Sequence, residues 1–443
     1  MAVSHHRGPT ISRRSLLGLG GAVLGSAVLA GCTGNSTTPS TSGPLKGVAS
    51  PKGSIRILDD NTNSVFKDSA IAAFEKSTGI KVEKYVQANF NDLHDQLATM
   101  FSAQDSSYDV VMTWAGWSAE FGQAGWLQEI SRSALPADTI KPALDAVSWR
   151  GKVYGIPKFV SVQTMFWNKK LMAASDVDPS KGPQNWDEFL SAAKSMTKGD
   201  VYGYTCDMGN DAGVKQNFLR FLLLAGGDMY DSNYQPIFND EHGELALTTM
   251  VELLHKYKVM NPASLQITNS SDLSSLFAGA GTGMVFNWPQ QYAIATGKDS
   301  KLDAQTIGNG LIPGIKVRSA SIDGSEGFAI NKFSNNKDAA LAWLKFAASQ
   351  QVQTKIVQDE GWFPVSKKVL DDPASIRSLP VLKTYSQTLD YKTKRYGTPW
   401  SSEFSHDLAI QVDKAMNREI SPKQALKAAS DKAAQLSDKY LKG

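Results

Sequence analysis

The residues whose type and position could do chemistry in this chain are tryptophans, and the chemistry they suit is binding rather than bond-making. There are ten of them. Trp114 and Trp117 sit in Trp114-Ala115-Gly116-Trp117, just after an apolar run ending at Met112, and Trp288 sits in Asn287-Trp288-Pro289 after Met284-Val285-Phe286. Trp362 lies in Gly361-Trp362-Phe363-Pro364, and Trp400 in Thr398-Pro399-Trp400-Ser401. An indole offers a flat apolar plate, and a neighbouring Asp, Asn, Gln or Lys offers donors and acceptors. A sugar ring asks for both, because its C–H faces pack on aromatic planes while its hydroxyl rim must stay hydrogen-bonded. Other tryptophans read as packing. Trp343 falls in step with Ala339, Ala340, Leu344 and Ala347, Trp126 and Trp149 read as core or edge, and Trp186 opens a helix as a staple.

Patterns for catalysis or metal binding do not emerge. Beyond Cys32 the histidines are His94, His242, His255 and His406, none of them three or four residues from another, so no metal and no other cofactor is expected. The pairs Asp59-Asp60, Asp359-Glu360 and Asp371-Asp372 are chain neighbours. Neighbours on a strand point to opposite faces, which predicts separate employment rather than a shared acid–base dyad. Gly279-Ala280-Gly281-Thr282-Gly283 lacks the spacing and the following Lys-Ser/Thr of a phosphate loop and reads as a tight turn. Gly324-Ser325-Glu326-Gly327 lacks the five-residue pattern of a hydrolase nucleophile elbow. No catalytic residue is assigned, and an enzyme is not expected.

The elements that must position the tryptophans alternate in type. A strand at Ile55–Leu58 precedes a helix from about Ser64 to Lys76, and a strand around Ile80, Val82 and Val86 precedes a helix marked by Phe90, Leu93, Leu97, Met100 and Phe101. Tyr108–Met112 is a buried-type strand. Further helices are predicted at Trp186–Met196, Asn217–Leu224, Leu245–Tyr257 and Ala339–Ala347, and strands at Met284–Asn287, Thr306–Ile312 and Phe328–Ile330. The segment from about Phe404 to Tyr440 is helical, with Ser421-Pro422 opening its last helix. This alternation predicts an α/β protein with a mainly parallel sheet covered on both faces, where ligands bind at strand carboxyl ends.

Length and charge narrow the class. At 443 residues the chain exceeds what one core usually serves, so two lobes are expected. The formal charge is +3, and Arg7, Arg13 and Arg14 are the only charged residues before Cys32. Taking those three from 46 basic residues leaves 43 against 43 acidic ones, which argues against a nucleic-acid partner. Ser12-Arg13-Arg14 followed by the uncharged run Leu16–Ala30 has the form of a twin-arginine-like signal peptide, residues 1–31. Leu29-Ala30-Gly31-Cys32 resembles the bacterial lipoprotein box, which implies lipid on Cys32 and attachment to the cell membrane. Residues 32–52, rich in Ser, Thr, Gly and Pro, are expected to be a flexible tether. Cys206 is then left without a cysteine partner and is expected to be a small buried residue.

The mature chain resembles the extracellular solute-binding proteins of sugar ABC importers, the family that contains maltose-binding protein. The resemblance runs through Ala72–Val82, Tyr108-Asp109-Val110-Val111, Gly125-Trp126-Leu127, Gly151–Pro157 and Trp167-Asn168-Lys169. It continues in Asn185–Phe189, Gly226-Gly227-Asp228, Gly283–Trp288, Gly327–Ile330 and Ala339–Phe346. Trp167 stands where many relatives carry Tyr. The resemblance implies a two-lobed periplasmic-binding-protein-like fold with a hinge and a ligand cleft between the lobes. Residues 53–158 plus 314–358 would form the N-terminal lobe, and 159–313 plus 359–443 the C-terminal lobe. The crossings are expected near Pro157–Val160, Ile312–Gly314 and Gln358–Gly361. By position it implies ligand contacts from Asp60, Asn61, Trp114, Trp117, Lys158, Phe159, Asn287, Trp288, Glu326, Trp362 and Trp400. It implies a monomer that captures a carbohydrate and hands it to ABC permease subunits. One alternative is a non-sugar or modified ligand, such as a glycerophosphodiester or an amino-sugar derivative. A remote one is a lipid-anchored glycan hydrolase using Asp60 and Glu326, which needs two carboxylates about 5–5.5 or 6.5–9.5 Å apart.

Overall fold

The computed structural model describes residues 43–60, 66–87 and 90–442. The predicted leader, Cys32 and Asn61 lie outside the described residues. Of the expected tether, Leu45 is part of the folded body: its N–H donates to Glu129 O at 2.8 Å, and its O accepts from Ser131 N at 2.9 Å. Leu45 is one of the few apolar side chains in this polar stretch, and it packs on the first core.

Two sheets organise the body. The first runs Lys81–Gln87, Ser54–Asp60, Val110–Trp114, Glu326–Ile330, Gly155–Phe159. The second runs Ile307–Gly310, Thr164–Asn168, Thr282–Asn287, Tyr202–Tyr204. In each sheet all strands but one run the same way, so the expected mainly parallel arrangement holds apart from one reversed strand in each. Glu326–Ile330 is antiparallel to both of its neighbours, and Thr164–Asn168 is antiparallel to both of its own. These strands belong to segments that have just crossed from one sheet to the other, so each enters from the side opposite to a βαβ crossover.

The predicted helices form, with ends shifted by a few residues. Trp186–Met196 is capped as its sequence demands. Asn185 accepts from Glu188 N–H at 2.9 Å, and the Glu188 carboxylate accepts from Gln184 N–H at 2.7 Å. Trp343 is core as expected, meeting Phe74 edge-on at 5.1 Å and Phe66 at 5.7 Å between centroids. Cys206 is fully buried, and burial pushes its thiol up to about 12.

Trp167 shows how the second sheet accommodates its largest side chain. It is buried and donates from Nε1 to Pro179 O at 2.8 Å. Gly308, its cross-strand partner, leaves the ring its room: a Cβ there would lie 1.9 Å from Trp167 Cε2.

The chain passes between the sheets in three neighbouring segments. Val160 N donates to Phe363 O at 3.0 Å, Ser161 N to Ser325 Oγ at 3.1 Å, and Gly324 N to Ser161 O at 2.6 Å. The return crossing is thus at Asp323–Ser325, later than Ile312–Gly314. The reason is that Ile312, Ala320 and Ile322 are buried in the second core, and Ile315 N donates to Leu224 O at 2.9 Å.

Beside these crossings lies a buried ion cluster. Lys158 Nζ is 3.0 Å from Asp59 Oδ1, 3.1 Å from Asp60 Oδ1 and 2.9 Å from Glu326 Oε2, and Lys158 is fully buried. Asp59 and Asp60 therefore share one cation, against the expectation of separate employment. The first strand ends at Asp60, and Lys158 arrives from the far side of the same sheet edge to meet both. Lys84 adds a second cation 3.8 Å from Asp59 Oδ2. Burial would lower Lys158, but the three carboxylates outweigh it and hold it well above the usual lysine range. Burial pushes Glu326 up to about 8, with Asp60 and Asp59 adding to the shift and Lys158 opposing it.

Two measurements check this account. Gly308→Ala should destabilise the fold by roughly 1–3 kcal/mol through overpacking against Trp167, read by urea unfolding; an unchanged midpoint contradicts it. Glu326, raised in the folded state, favours folding below its unfolded pKa and loses that contribution as pH climbs through about 8. The melting temperature of Glu326→Gln should accordingly improve relative to the parent between about pH 5 and 9. A constant difference across that window would show that the carboxyl does not titrate there.

Candidate functional site

The edges of the two sheets that face each other carry the site. In the first sheet, Asp60, Trp114 and Phe159 end their strands, and Glu326 begins the antiparallel one that pairs with Trp114 and Phe159. In the second, Asn287 ends its strand and Trp288 follows. Two adjoining cavities open between the lobes. The smaller, about 50 Å³, lies between Trp114 and Trp288, with Lys215, Asp323, Arg395 and Tyr396 around it. The larger, about 590 Å³, has Trp149, Arg150 and Asp145 on the first lobe and Tyr230, Tyr234 and Asp231 on the second. Tyr230, Asp323, Arg395 and Tyr396 line both.

Trp114 and Trp288 are thus brought to one cavity. Gly324, on the return crossing, is what admits Trp288, since a Cβ there would lie 2.6 Å from Trp288 Cζ3. The other expected residues are placed elsewhere. Asp60, Lys158 and Glu326 are occupied with one another in the ion cluster beneath the cleft, and they line neither cavity. Phe159 is buried and meets Trp362 in a tilted ring contact with centroids 4.4 Å apart, which braces the crossing segments. Trp117 is 2% exposed, in the first core beside His94 and Phe121. Trp400 is fully buried in the second core, its Nε1 donating to Tyr230 OH at 3.2 Å. The Asn287 amide donates to Gln291 Oε1 at 2.7 Å and to Ser274 Oγ at 3.0 Å, so it fastens the strand end to its helices.

Several lining groups escaped the sequence reading. Trp149 belongs to the first core, as its reading as core or edge expects, and it also lines the larger cavity, where its ring touches that of Tyr234 with centroids 4.9 Å apart. Arg395 and Tyr396 come from Tyr391-Lys392-Thr393-Lys394-Arg395-Tyr396, a basic and aromatic run whose composition was the available signal. Tyr396 OH is fixed by Asp228, which also meets Lys392 at 3.0 Å. Lys215 carried no such signal, because one lysine in a helical run is ordinarily a solvated residue.

The electrostatics of the smaller cavity are cationic. Arg395 Cζ lies 4.8 Å and Lys215 Nζ 5.3 Å from the Trp114 ring centroid. Burial pushes Arg395 down to about 10, opposed by Asp323 and Glu326, and burial with the nearby Arg395 pushes Lys215 down to about 8. Asp323 accepts from Ser325 N–H at 2.8 Å and from Ser325 Oγ, and burial raises it. No group of His, Cys, Asp and Glu suited to a metal occurs among the described residues, and no helix among them is long and apolar enough to cross a membrane.

The arrangement can enclose a small polar molecule between aromatic walls. The chain resembles maltose-bound MalE3 of T. maritima in fold, with a TM-score of 0.78 at 23% identity, covering 87% of this chain and 100% of that one. The cyclic alpha-maltosyl-1,6-maltose binding protein of Arthrobacter globiformis gives 0.72 at 20%, covering 90% and 100%. In sequence, the mannitol-binding protein of Pseudomonas aeruginosa is 24% identical over 317 residues, 69% of this chain and 71% of its own. A probable amino-acid ABC transporter periplasmic-binding protein of Sinorhizobium fredii is 23% identical over 378 residues, 82% and 85%. These are binding proteins, not enzymes. Residues 59–354 match the family of bacterial extracellular solute-binding proteins, and the chain belongs to that family.

Proposed function

We propose that this protein is the lipid-anchored substrate-binding component of an ABC importer, capturing a carbohydrate by hinge closure and delivering it to the permease. The observation that carries the reading is the aromatic lining of an interlobe cleft, with Trp114 and Trp288 in one cavity and Trp149 and Tyr234 at the other. Aromatic planes flanked by charged and hydroxyl groups match the two demands of a sugar ring, and a volume of about 590 Å³ accommodates more than one ring. The names of the mannitol- and maltose-binding relatives point the same way.

Closure follows from the same geometry. Walls from both lobes complete the shell only when the lobes approach, so a ligand touching both stabilises the closed form by its differential contacts. The three crossing segments are where such a motion would turn.

Tryptophan fluorescence titrated with mono- and disaccharides should respond saturably, and Trp114→Ala should weaken the best sugar by about tenfold or more, ~1.4 kcal/mol. No fluorescence response and no thermal shift with any sugar would sink the carbohydrate assignment. For the anchor, Cys32→Ser expressed in a bacterial host should move the protein from the membrane fraction to the soluble one; continued membrane retention would argue against lipid on Cys32.

A further inference from the structure

Two of the buried cation sites among the described residues are treated in opposite ways. Lys158 meets three carboxylates, all within 3.1 Å. Arg395, whose side chain is only 6% exposed, has Asp323 at 4.0 Å and gives Nη1 to Ser325 O. Its Nε and Nη2 are buried and have no hydrogen-bond partner among the described residues. Lys215 Nζ, beside the same ring, donates to Ser401 O at 3.3 Å and has no carboxylate within 4.0 Å among the described residues. Asp323, the carboxylate nearest Arg395 among the described residues, already accepts twice from Ser325, and Glu326 lies farther off.

Two positive charges, the buried Arg395 and the half-buried Lys215, therefore line a small cavity whose one carboxylate among the described lining residues is Asp323. A buried cation left without its counter-charge is costly, and a single cation would suffice for a cation–π contact with Trp114. The planar Arg fork presents parallel N–H groups that match a carboxylate or phosphate, and a lysine alongside adds a point charge. Both lie over the aromatic plate on which a sugar ring would stack.

Resting on the carbohydrate reading above, we infer that Arg395 and Lys215 form a seat for an anionic group carried by the ligand, a carboxylate or a phosphate on a carbohydrate. The ligand supplies the counter-charge that Asp323 provides only at 4.0 Å. An acidic sugar thus gains a charge-assisted contact that its neutral analogue cannot make. The neutral analogue must also leave the guanidinium unpaired as it displaces water.

Calorimetric titration of the purified protein with matched sets tests the seat: glucose, glucuronate and glucose 6-phosphate; maltose, maltobionate and maltose 6′-phosphate; and glutamate as a sugar-free acid. The expected result is that an acidic member binds about tenfold or more tighter than its neutral partner. Preference for the carboxylate or for the phosphate member identifies the source of the anion. Arg395→Gln and Lys215→Met should each remove most of that preference, lowering acidic-sugar affinity by a larger factor than neutral-sugar affinity. Should either variant fail to fold, the parent protein decides by salt: acidic-sugar affinity should fall between low and high NaCl while neutral-sugar affinity holds. Neutral sugars binding as tightly as acidic ones, with no salt effect, would overturn the seat and leave the carbohydrate reading standing. Binding of glutamate alone, or of no sugar in either form, would overturn the carbohydrate reading and this inference with it.

Discussion

One buried ammonium holds the first lobe to its own crossing point. Lys158 stands at the end of the last strand before the chain leaves the sheet, Asp59 and Asp60 end the first strand, and Glu326 begins the strand on which the chain returns. Three separate passes of the backbone are thus tied at one sheet edge. Taking these charges out of water is expensive, and only close mutual pairing offsets it. Three carboxylates around one lysine cannot all be charged at little cost, so Glu326 keeps its proton to about 8 while Lys158 stays cationic. This requirement holds the strand ends in place, and Trp114 stands beside Glu326 on the adjacent strand.

The cluster also explains why charged residues expected at the ligand do not line the cleft. A polar side chain already paired and fully buried is structural material for the hinge, whatever its position along the chain. The interlobe cavities are lined instead by Trp114 and Trp288 in the inner one and by Trp149 and Tyr234 in the outer. Glycine participates by absence, since Gly324 lets Trp288 approach the crossing strand and Gly308 lets Trp167 withdraw into the core.

Periodicity showed where most elements form because it records which face is buried, and the helix at Trp186–Met196 matches its prediction end to end. Strand direction was not legible, since Glu326–Ile330 has the same alternation whichever way it runs; its antiparallel pairing follows from where the crossing delivers it. The return crossing lies beyond the expected one for a similar reason. Ile312, Ala320 and Ile322 read as ordinary apolar residues, and only the second core, by burying them, holds the chain on that lobe until Asp323.

By itself the sequence determined the class of site: tryptophans at strand ends, the balance of 43 acidic and 43 basic residues beyond the leader, and the lack of a metal or nucleophile motif all pointed to capture of a small molecule. Tertiary structure alone decided which tryptophans face the cleft. Trp117 and Trp400 carry the same expectation of ligand contact as Trp114 and Trp288, yet each is shut into a core. It also decided which cations are spent and which remain. Lys158, Lys215 and Arg395 look alike as letters, and what separates them is the distance to the nearest carboxylate, set by residues more than 90 positions apart for Lys158 and Asp59. Electrostatic pairing acts through space and falls off within a few ångströms, so the folded backbone determines it and spacing along the chain does not.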